Sequence, residues 1–352
     1  MGGSERKTVR IVNALRRKGF NVHLGFLNGP ETLLPDIDSA VPVVGLNRRG
    51  KFSYGAALRL RKYVLEHEIV RIVCVNLYPL LYAYSLRLLI GSGAPACVVS
   101  VNTTHFLDPK EAGAMFIYAS IIRRVEKILF GCRYQLEHWV HKYRLPRSNC
   151  IYLYNGVDVN LYSRDLSPDL GISTRNSLGI DHADFVIGTV GQLRPEKHQG
   201  DLVAAVERLR SAGINAAALI IGDGKEADSI RRLAEKLEVN GYVHLGGVLS
   251  DVRPALAAMD VFVLTSLSET FSNAALEAMS MGVPVVLSDV GGAREMVWPG
   301  TNGYLFEKAN VIELTEVLKK LADRGDERRH MGNEARRIAV ERFSFTHMLE
   351  QY

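Results

Sequence analysis

The stretch VFVLTSLSETFSNAALEAMSMGVPVVLSD, residues 261–289, contains one complete strand–helix–strand repeat. Two apolar runs rich in Val, residues 261–266 and 283–289, predict buried strands. The segment between them has helical spacing from about residue 273, and either Ser272 or Asn273 is a suitable N-cap. A helix between two continuous apolar strands predicts a βαβ unit in a parallel sheet that is covered on both faces.

The same alternation continues on both sides of this repeat. In the second half, further strands are predicted over residues 185–191, 217–224 and 242–247, and each precedes a helical segment. The first half alternates less regularly, and two helical segments are predicted there over residues 111–129 and 134–143.

The polar stretch SRDLSPDLGIST, residues 163–174, predicts the boundary between two doubly wound α/β domains. We therefore expect one domain over residues 1–165, a second over residues 166–340, and a C-terminal segment over residues 341–352. Because ligands of such sheets bind beyond the carboxyl ends of the strands, the residues that follow each strand are the candidate site residues.

Composition excludes several classes of protein. The longest apolar stretch, residues 77–90, is interrupted by Arg87, whereas a membrane span needs roughly 18 uninterrupted apolar residues. The four cysteines lie far apart, which excludes a disulfide framework and a cysteine zinc site and is typical of a reducing cytoplasm. The polar start MGGSERKTVR predicts no secretory signal peptide, so we expect a cytoplasmic protein.

Charge is divided unevenly along the chain. Residues 1–165 hold 23 Lys and Arg against 12 Asp and Glu, a balance of +11, and the remainder has a balance of −6. This asymmetry favours an anionic partner for the first half, either nucleic acid or an anionic membrane surface or phosphorylated lipid, although a solvated surface charged by chance is the alternative. No basic run is interleaved with aromatic residues as single-strand binders require, so we expect no nucleic-acid partner.

Two carboxylates flank the start of the predicted helix at residue 273. Glu269 precedes it in the loop, and Glu277 lies about one turn inside it. Helix N-termini bind anions on their free N–H groups, so a phosphate there with a carboxylate on each side is a suitable cradle for a sugar nucleotide. The alternative is that Glu277 only provides the negative charge that a first helical turn favours.

At this point the sequence resembles a known family, the retaining glycosyltransferases of family 4, which have the GT-B fold. The resemblance begins with the Glu-x7-Glu pattern of Glu269 and Glu277 inside SETFSNAALEAMSMGVPVV. Other family-like motifs follow in the expected order and extend over nearly the whole chain: LYNGVDVNLY (153–162), GTVGQLRPEKHQGDLVAAV (188–206), LIIGDG (219–224) and VGGAREMVWPGTNGYLF (290–306). Several motifs in order are far more specific than any single one.

The resemblance implies a role for each residue of the predicted site. Glu277 would bind the ribose hydroxyls of the donor, and Glu269 would contact hydroxyls of the transferred sugar. Lys197 would bind the diphosphate. The family usually has Arg where this chain has Gln192, so Arg194 is expected to replace that cation or the cation is missing.

The remaining candidates lie around these residues. His105 follows the strand predicted over residues 97–101 and would face the reacting sugar, with a surface-loop histidine as the alternative. Gly191 and Gly292 would give a phosphate or sugar room to approach the backbone, with a plain turn as the alternative at Gly292. Ser272 and Asn273 complete the predicted nucleotide-sugar site.

No metal site and no cofactor are expected. Asp36 and Asp38 match an Asp-x-Asp metal motif only in their letters, because they lie in a Pro-flanked loop of the other domain. A preorganised Lys or Arg can stabilise the departing diphosphate in place of a metal.

The chain departs from the family at both ends. Gly2 and Gly3 follow Met1 directly, so the strand that normally precedes the family's Gly-Gly loop is predicted to be absent. The chain also ends in FSFTHMLEQY, where the family's last helix returns toward the first domain.

The sequence therefore predicts a GT-B enzyme with two Rossmann-like domains facing a cleft. It would move a sugar from a nucleoside-diphosphate sugar to a hydroxyl of a lipid-linked or glycan acceptor, with retention, in cell-surface polysaccharide or glycolipid assembly. A sugar-nucleotide epimerase of the same fold and a non-catalytic partner subunit that binds sugar nucleotide remain alternatives.

Overall fold

A computed structural model describes residues 3–29, 31–50, 53–104, 109–164, 169–180 and 183–352. Its internal contacts divide the chain into two compact units, Met1–Leu153 and Tyr154–Tyr352. Both units are built from parallel strands and helices, which confirms the α/β prediction. In the described part of the chain, no helix is long and apolar enough to cross a membrane.

The first unit contains two separate parallel sheets. Its strands are β1 (Leu24–Phe26), β2 (Val43–Gly45), β3 (Arg71–Val75), β4 (Ala96–Val101), β5 (Lys127–Phe130) and β6 (Cys150–Tyr152). Its helices are α1 (Gly3–Arg17), α2 (Tyr54–Glu66), α3 (Leu77–Ile90), α4 (Pro109–Ile122) and α5 (Arg133–Tyr143). Strands β1 and β2 pair with each other, and the other four follow in the order β3-β4-β5-β6. The first element of the described part is α1, with β1 after it.

The sequence prediction was wrong over residues 111–129, where one helix was expected. Helix α4 ends at Ile122, and the chain re-enters the sheet as β5. In β5 the buried side chains of Ile128 and Phe130 alternate with the partly exposed Lys127 and Leu129. Four residues of alternation are too few to distinguish a strand from a continuing helix, because both place apolar residues on one side.

The second unit is built around one six-stranded parallel sheet in the order β12-β11-β10-β7-β8-β9. Its strands are β7 (Phe185–Val190), β8 (Ala216–Ile221), β9 (Val243–Gly247), β10 (Val261–Leu264), β11 (Val285–Ser288) and β12 (Gly303–Phe306). Its helices are α6 (Leu170–Leu178), α7 (Gly200–Ser211), α8 (Ala227–Lys236), α9 (Arg253–Ala258), α10 (Asn273–Ser280), α11 (Ala293–Met296), α12 (Val311–Ala322), α13 (Gly325–Phe343) and α14 (Phe345–Gln351).

Burial explains why the second sheet was predictable. Every residue of β8, β10 and β11 is buried, so each strand reads as a continuous apolar run. Helices α7, α8 and α12 contribute apolar side chains to the core on one face of this sheet. The strand order reverses between β7 and β10, and this switch point is where such folds bind ligands.

The division between the units lies at Leu153, whereas the sequence placed the boundary at residue 165. The difference has a physical cause, because residues that follow Leu153 pair with the end of the chain. The N–H of Val157 donates to Phe343 O (2.8 Å), and the N–H of Phe345 donates to Val157 O (2.7 Å). The C-terminal segment thus packs on residues of the second unit, and its predicted return toward the first domain stays a prediction.

Candidate functional site

The candidate site lies at the carboxyl ends of β7 and β10, which are neighbours at the switch point of the second sheet. Parallel strands that reverse their order leave a crevice at this edge, where loops from both strands meet. The predicted residues Gly191, Arg194 and Lys197 follow β7, and Glu269 follows β10. The structure therefore has these candidates at the carboxyl ends of the strands, as the sequence predicted, and their roles stay predictions.

The loop after β7 is held by the neighbouring loop after β8. The N–H of Gly191 donates to Ile221 O (2.9 Å), and the N–H of Leu193 donates to Asp223 O (3.0 Å). Gly222 has a φ of +137°, and a Cβ there would lie 1.9 Å from the Gly191 carbonyl oxygen. Residues 222–224, the end of the LIIGDG motif, thus support the candidate phosphate loop.

Lys197 is fixed against the end of β10. It ends a short 3₁₀ turn, and its carbonyl accepts a hydrogen bond from Thr265 Oγ1 (2.9 Å). The carbonyl of the preceding residue, Glu196, accepts the N–H of Leu267 (2.9 Å). Two hydrogen bonds accepted by these consecutive carbonyls place the lysine beside the Glu269 loop.

Lys197 and Glu269 form an ion pair, with side chains that are 24% and 21% exposed. The other carboxylate oxygen of Glu269, Oε1, accepts the N–H of Thr270 (3.1 Å). Both carboxylate oxygens are therefore engaged. The ammonium of such a partly buried pair can bind a diphosphate while the carboxylate accepts a hydrogen bond from a sugar hydroxyl.

Arg194 is more exposed than Lys197. Its side chain is 53% exposed, and its Nη1 lies 3.7 Å from Glu196 Oε1. At Gln192, the position of the expected family arginine, the backbone carbonyl accepts a hydrogen bond from Gln199 Nε2 (3.0 Å). A role of Arg194 at the diphosphate stays a prediction.

The start of helix α10 follows the prediction from sequence. Ser272 is its N-cap and accepts the N–H of Ala275 on Oγ (3.2 Å). Glu277 is the fifth helical residue, one turn in. Within the helix, Asn273, Ala274 and Glu277 are only partly buried, whereas the other residues are fully buried. The accessible face of the helix thus presents Glu277 one turn beyond the N-terminus.

The two glycines after β11 have a clear structural role. Gly291 has a φ of +58°, and a Cβ there would lie 2.0 Å from the Glu269 carbonyl oxygen. The N–H of Gly292 donates to Thr270 O (2.9 Å). Both glycines therefore hold the loop that carries Glu269, and direct contact of Gly292 with a ligand stays a prediction. At Gly191, by contrast, a Cβ would meet no atom within 4 Å.

His105 lies outside the described residues, but the chain before it is well anchored. Gln135 Nε2 donates to Val101 O (3.1 Å) and to Thr103 O (3.0 Å), and Trp139 Nε1 donates to Thr104 O (3.1 Å). Helix α5 therefore fixes the loop after β4 as far as Thr104. The role of His105 stays a prediction.

The sequence did not indicate the residues that support the loop carrying Glu269. Asn155 Nδ2 donates to Phe271 O (2.8 Å), and Tyr154 OH donates to Glu295 Oε2 (2.9 Å). The motifs that contain Asn155 and Glu295 contributed to the family resemblance, but the sequence indicated no contact for either residue. Nothing in the sequence indicates that they contact one another across more than one hundred residues.

Among the described residues, no group of three or more His, Cys, Asp or Glu side chains could hold a metal ion. In the Asp36 and Asp38 loop, the Asp36 carbonyl accepts Asn13 Nδ2 (2.8 Å), and Asp38 Oδ1 accepts the N–H of Ala40 (3.0 Å).

Comparisons with known families match both units. Residues 1–161 match the model of Glycosyltransferase Family 4, and residues 172–338 match that of Glycosyl transferases group 1. The N-acetyl-alpha-D-glucosaminyl L-malate synthase of Bacillus anthracis is 26% identical over 77% of this chain and 69% of its own length. A GDP-mannose-dependent monoacylated alpha-(1-6)-phosphatidylinositol monomannoside mannosyltransferase of Corynebacterium glutamicum is 33% identical over 51% of this chain, which spans 49% of that protein.

Solved structures match the whole chain in fold. The Anabaena HepE complex with UDP superposes with a TM-score of 0.87 and 21% identity, over 99% of this chain and 94% of that one. The HepE complex with UDP-glucose gives 0.86 at 22% identity, over 100% and 94%. WaaG, a glycosyltransferase involved in lipopolysaccharide biosynthesis, gives 0.76 at 19% identity, over 100% and 95%. These matches confirm the predicted GT-B fold.

Proposed function

We propose that this chain, which belongs to the group 1 glycosyltransferases of family 4, transfers a sugar from a nucleoside-diphosphate sugar to a hydroxyl with retention at the anomeric carbon. The observation that carries the proposal is the Lys197–Glu269 ion pair beside the N-terminus of α10. One side of this site is suited to a diphosphate and the other to sugar hydroxyls. The bound UDP and UDP-glucose of the HepE structures support a nucleotide-sugar donor.

The diphosphate would meet Lys197 and the first N–H groups of α10. The first turn of a helix leaves N–H groups without intrahelical acceptors. Ser272 accepts that of Ala275, so those of Asn273 and Ala274 are the ones a phosphate would approach. Glu277, one turn further along the accessible face, would accept hydrogen bonds from the ribose hydroxyls.

Catalysis would depend on charge that develops as the sugar departs. Cleavage of the anomeric bond leaves extra negative charge on the diphosphate. Two unit charges about 4 Å apart interact by about 4 kcal/mol at an effective dielectric constant of 20, so a positioned ammonium stabilises this charge strongly. Lys197 is held by Thr265 and Glu269 before the donor arrives, and little reorganisation is then needed.

We expect the reaction to need neither a metal ion nor a cofactor, because Lys197, with Arg194 as a second candidate, would supply the positive charge. Turnover should therefore survive EDTA. Loss of turnover in EDTA that magnesium or manganese restores would contradict this part of the proposal.

The acceptor is proposed to be a lipid-linked or glycan hydroxyl in cell-surface polysaccharide or glycolipid assembly. The names of the relatives support it, since they include a phosphatidylinositol mannoside mannosyltransferase and a capsular polysaccharide glycosyltransferase of Staphylococcus aureus. We place the enzyme in the cytoplasm, peripherally on the inner face of the membrane.

The surface of α4 supports this membrane location. On this helix, Phe116 is 88% exposed and Ile117 is 62% exposed. The exposed residues Arg123 and Arg124 come directly after its last residue. Cations near an anionic lipid surface contribute roughly 1 kcal/mol each. Co-sedimentation with anionic vesicles at low salt, lost at high salt, is the expected result. Absence of binding at low salt would favour a soluble acceptor.

Product analysis tests the central proposal. The full chain is incubated with each of a panel of nucleotide sugars, with and without lipid-linked and soluble glycan acceptors, and products are followed by NMR of the anomeric proton. Transfer with the donor's anomeric configuration supports the proposal. An altered nucleotide sugar formed without acceptor would indicate an epimerase, and donor binding without turnover across the panel would indicate a non-catalytic subunit.

A further inference from the structure

The loop that carries Glu269 is held at three consecutive carbonyls. The Glu269 carbonyl packs against Gly291, where a Cβ would approach to 2.0 Å. The Thr270 carbonyl accepts the N–H of Gly292 (2.9 Å). The Phe271 carbonyl accepts Asn155 Nδ2 (2.8 Å). Two different segments of the second unit therefore fix one short stretch of backbone.

Tyr154 joins these two segments. Its ring stacks on that of Phe271, with centroids 5.0 Å apart, and meets Phe343 edge-to-face at 5.4 Å. Its hydroxyl donates to Glu295 Oε2 (2.9 Å), and Glu295 lies on α11, directly after the glycines that hold the other side of the loop. Tyr154 and Asn155 thus connect both supports of residues 269–271.

The position of the Glu269 carboxylate follows this backbone. Its Oε1 accepts the N–H of Thr270 (3.1 Å), so movement of the peptide between residues 269 and 270 moves the carboxylate as well. Its other oxygen is paired with Lys197. A misplacement of about 1 Å in a reacting group can lower a rate by about 10²-fold, so the support of this peptide has a catalytic consequence.

We propose that Tyr154 and Asn155 are positioning residues, which act through the backbone of residues 269–271 to hold the Glu269 carboxylate against the transferred sugar. The proposal rests on the proposed function of Glu269. The backbone that Asn155 and Tyr154 support carries Glu269, so the proposed effect concerns the sugar side of the site. Binding of a nucleoside diphosphate, which lacks the sugar, depends on Glu277, Lys197 and the first N–H groups of α10. The start of that helix is held by its own N-cap, Ser272, which accepts the N–H of Ala275, so this binding is expected to be unaffected.

The test uses the full chain with Asn155→Ala, Tyr154→Phe and the control Asn160→Ala. Asn160 has the same side chain and lies five residues further along, where it is exposed. Asn155→Ala should lower kcat for sugar transfer by about 10- to 100-fold. Tyr154→Phe keeps the ring and loses the hydroxyl that donates to Glu295, so a fall of about threefold to tenfold is expected. The Kd for the nucleoside diphosphate should change less than about twofold in both, and Asn160→Ala should match the parent chain.

A second comparison asks whether the effect passes through Glu269. In a Glu269→Gln chain, adding Asn155→Ala should lower kcat by less than about twofold further, because residues that act as one unit are not additive. If Asn155→Ala does not fold, Tyr154→Phe is combined with Glu269→Gln in the same way.

Three results would overturn the positioning role. They are an unchanged kcat in both folded variants, a full further loss in the Glu269→Gln chain, and a loss of nucleoside-diphosphate affinity that parallels the loss of kcat. Each of these leaves the proposed function intact when Glu269→Gln alone lowers transfer. Unchanged transfer by Glu269→Gln would instead overturn the role proposed for Glu269, and the positioning role with it.

Discussion

The two units of this chain use the same building plan with different degrees of burial. In the second unit, β8, β10 and β11 have every residue buried, and β7 has every residue buried except Val190, which is partly buried. In the first unit, β3 and β6 each contain only one fully buried residue, and Val73, Ile151 and Tyr152 are 37–38% exposed. The four central strands of the second sheet are thus covered on both faces and give their loops a rigid base, and the predicted residues Lys197, Glu269 and Gly292 follow three of these strands.

The loops at the two sheets differ in the same sense. In the second unit, the loops after β7, β8, β10 and β11 bond to one another through backbone groups, as the Gly191–Ile221 and Gly292–Thr270 pairs illustrate. In the first unit, the β1–β2 pair has its own small core around Val9, Leu24 and Val41. The loops that carry Lys197 and Glu269 are thus fixed by backbone bonds to their neighbours.

Removal of the Lys197 ammonium should produce the largest effect. Lys197→Ala should lower turnover by roughly 10²–10³-fold, as expected for the loss of one preorganised electrostatic donor. Arg194→Ala should do the same only if Arg194 replaces the cation absent at Gln192. Steady-state kinetics with a saturating donor measures both, with Lys236→Ala as the control because Lys236 is exposed in the last turn of α8. Equal turnover in Lys197→Ala and Lys236→Ala would show that Lys197 takes no part in catalysis.

The same substitution in the two sheets tests the difference in burial. Val286→Ala in β11 removes a fully buried side chain and should cost about 2 kcal/mol or more in unfolding free energy. Val73→Ala in β3 removes a side chain that is 38% exposed, and its cost should stay below about 1 kcal/mol.

Each unit contains one tryptophan, so denaturation can be followed separately. Trp139 reports on the first unit and Trp298 on the second, and Trp298→Phe or Trp139→Phe leaves a single reporter. Equal costs of the two valine substitutions would show that burial in these sheets does not set their stability.

A smaller difference between the two units is expected in the rates of amide hydrogen exchange of the unmutated protein. Amide hydrogen exchange in β1 and β2 should be at least about tenfold faster than in β8, which corresponds to about 1.4 kcal/mol of opening free energy. The reason is the lower burial of β2, whose three residues are all at least partly exposed, against complete burial of β8. Equal protection would mean that the first unit compensates elsewhere, and would strengthen the case for a rigid acceptor side.

The difference in strand burial between the two units also explains which strands could be predicted from the sequence. Buried parallel strands read as apolar runs, so β7, β8, β10 and β11 were located from their letters alone. Strand β5 was missed because its four residues follow α4 closely and fit a helical pattern equally well. The charged candidates Glu269 and Glu277 were found because they flank a helix start that follows a strand, whereas Lys197 was implied by the resemblance to the family.

The supports of the site could not be found in this way. The Tyr154–Glu295 hydrogen bond joins residues separated by 141 positions, and no local pattern indicates such a pair. The close contact of Gly291 with the Glu269 carbonyl is likewise a property of packing between loops. Pattern reasoning finds residues with distinctive chemistry, whereas the contacts that position them appear only in three dimensions.

The most direct test of the account is calorimetric titration of nucleoside diphosphates into the full chain and two glutamate variants. Glu277→Ala should weaken binding by about 1.5–3 kcal/mol, or roughly 10- to 150-fold, because it removes hydrogen bonds to a charged group. Glu316→Ala, an exposed glutamate of α12, should leave the affinity unchanged. Unchanged affinity in a folded Glu277→Ala chain, or no binding of any nucleoside diphosphate by the parent chain, would contradict a donor site at this edge of the second unit.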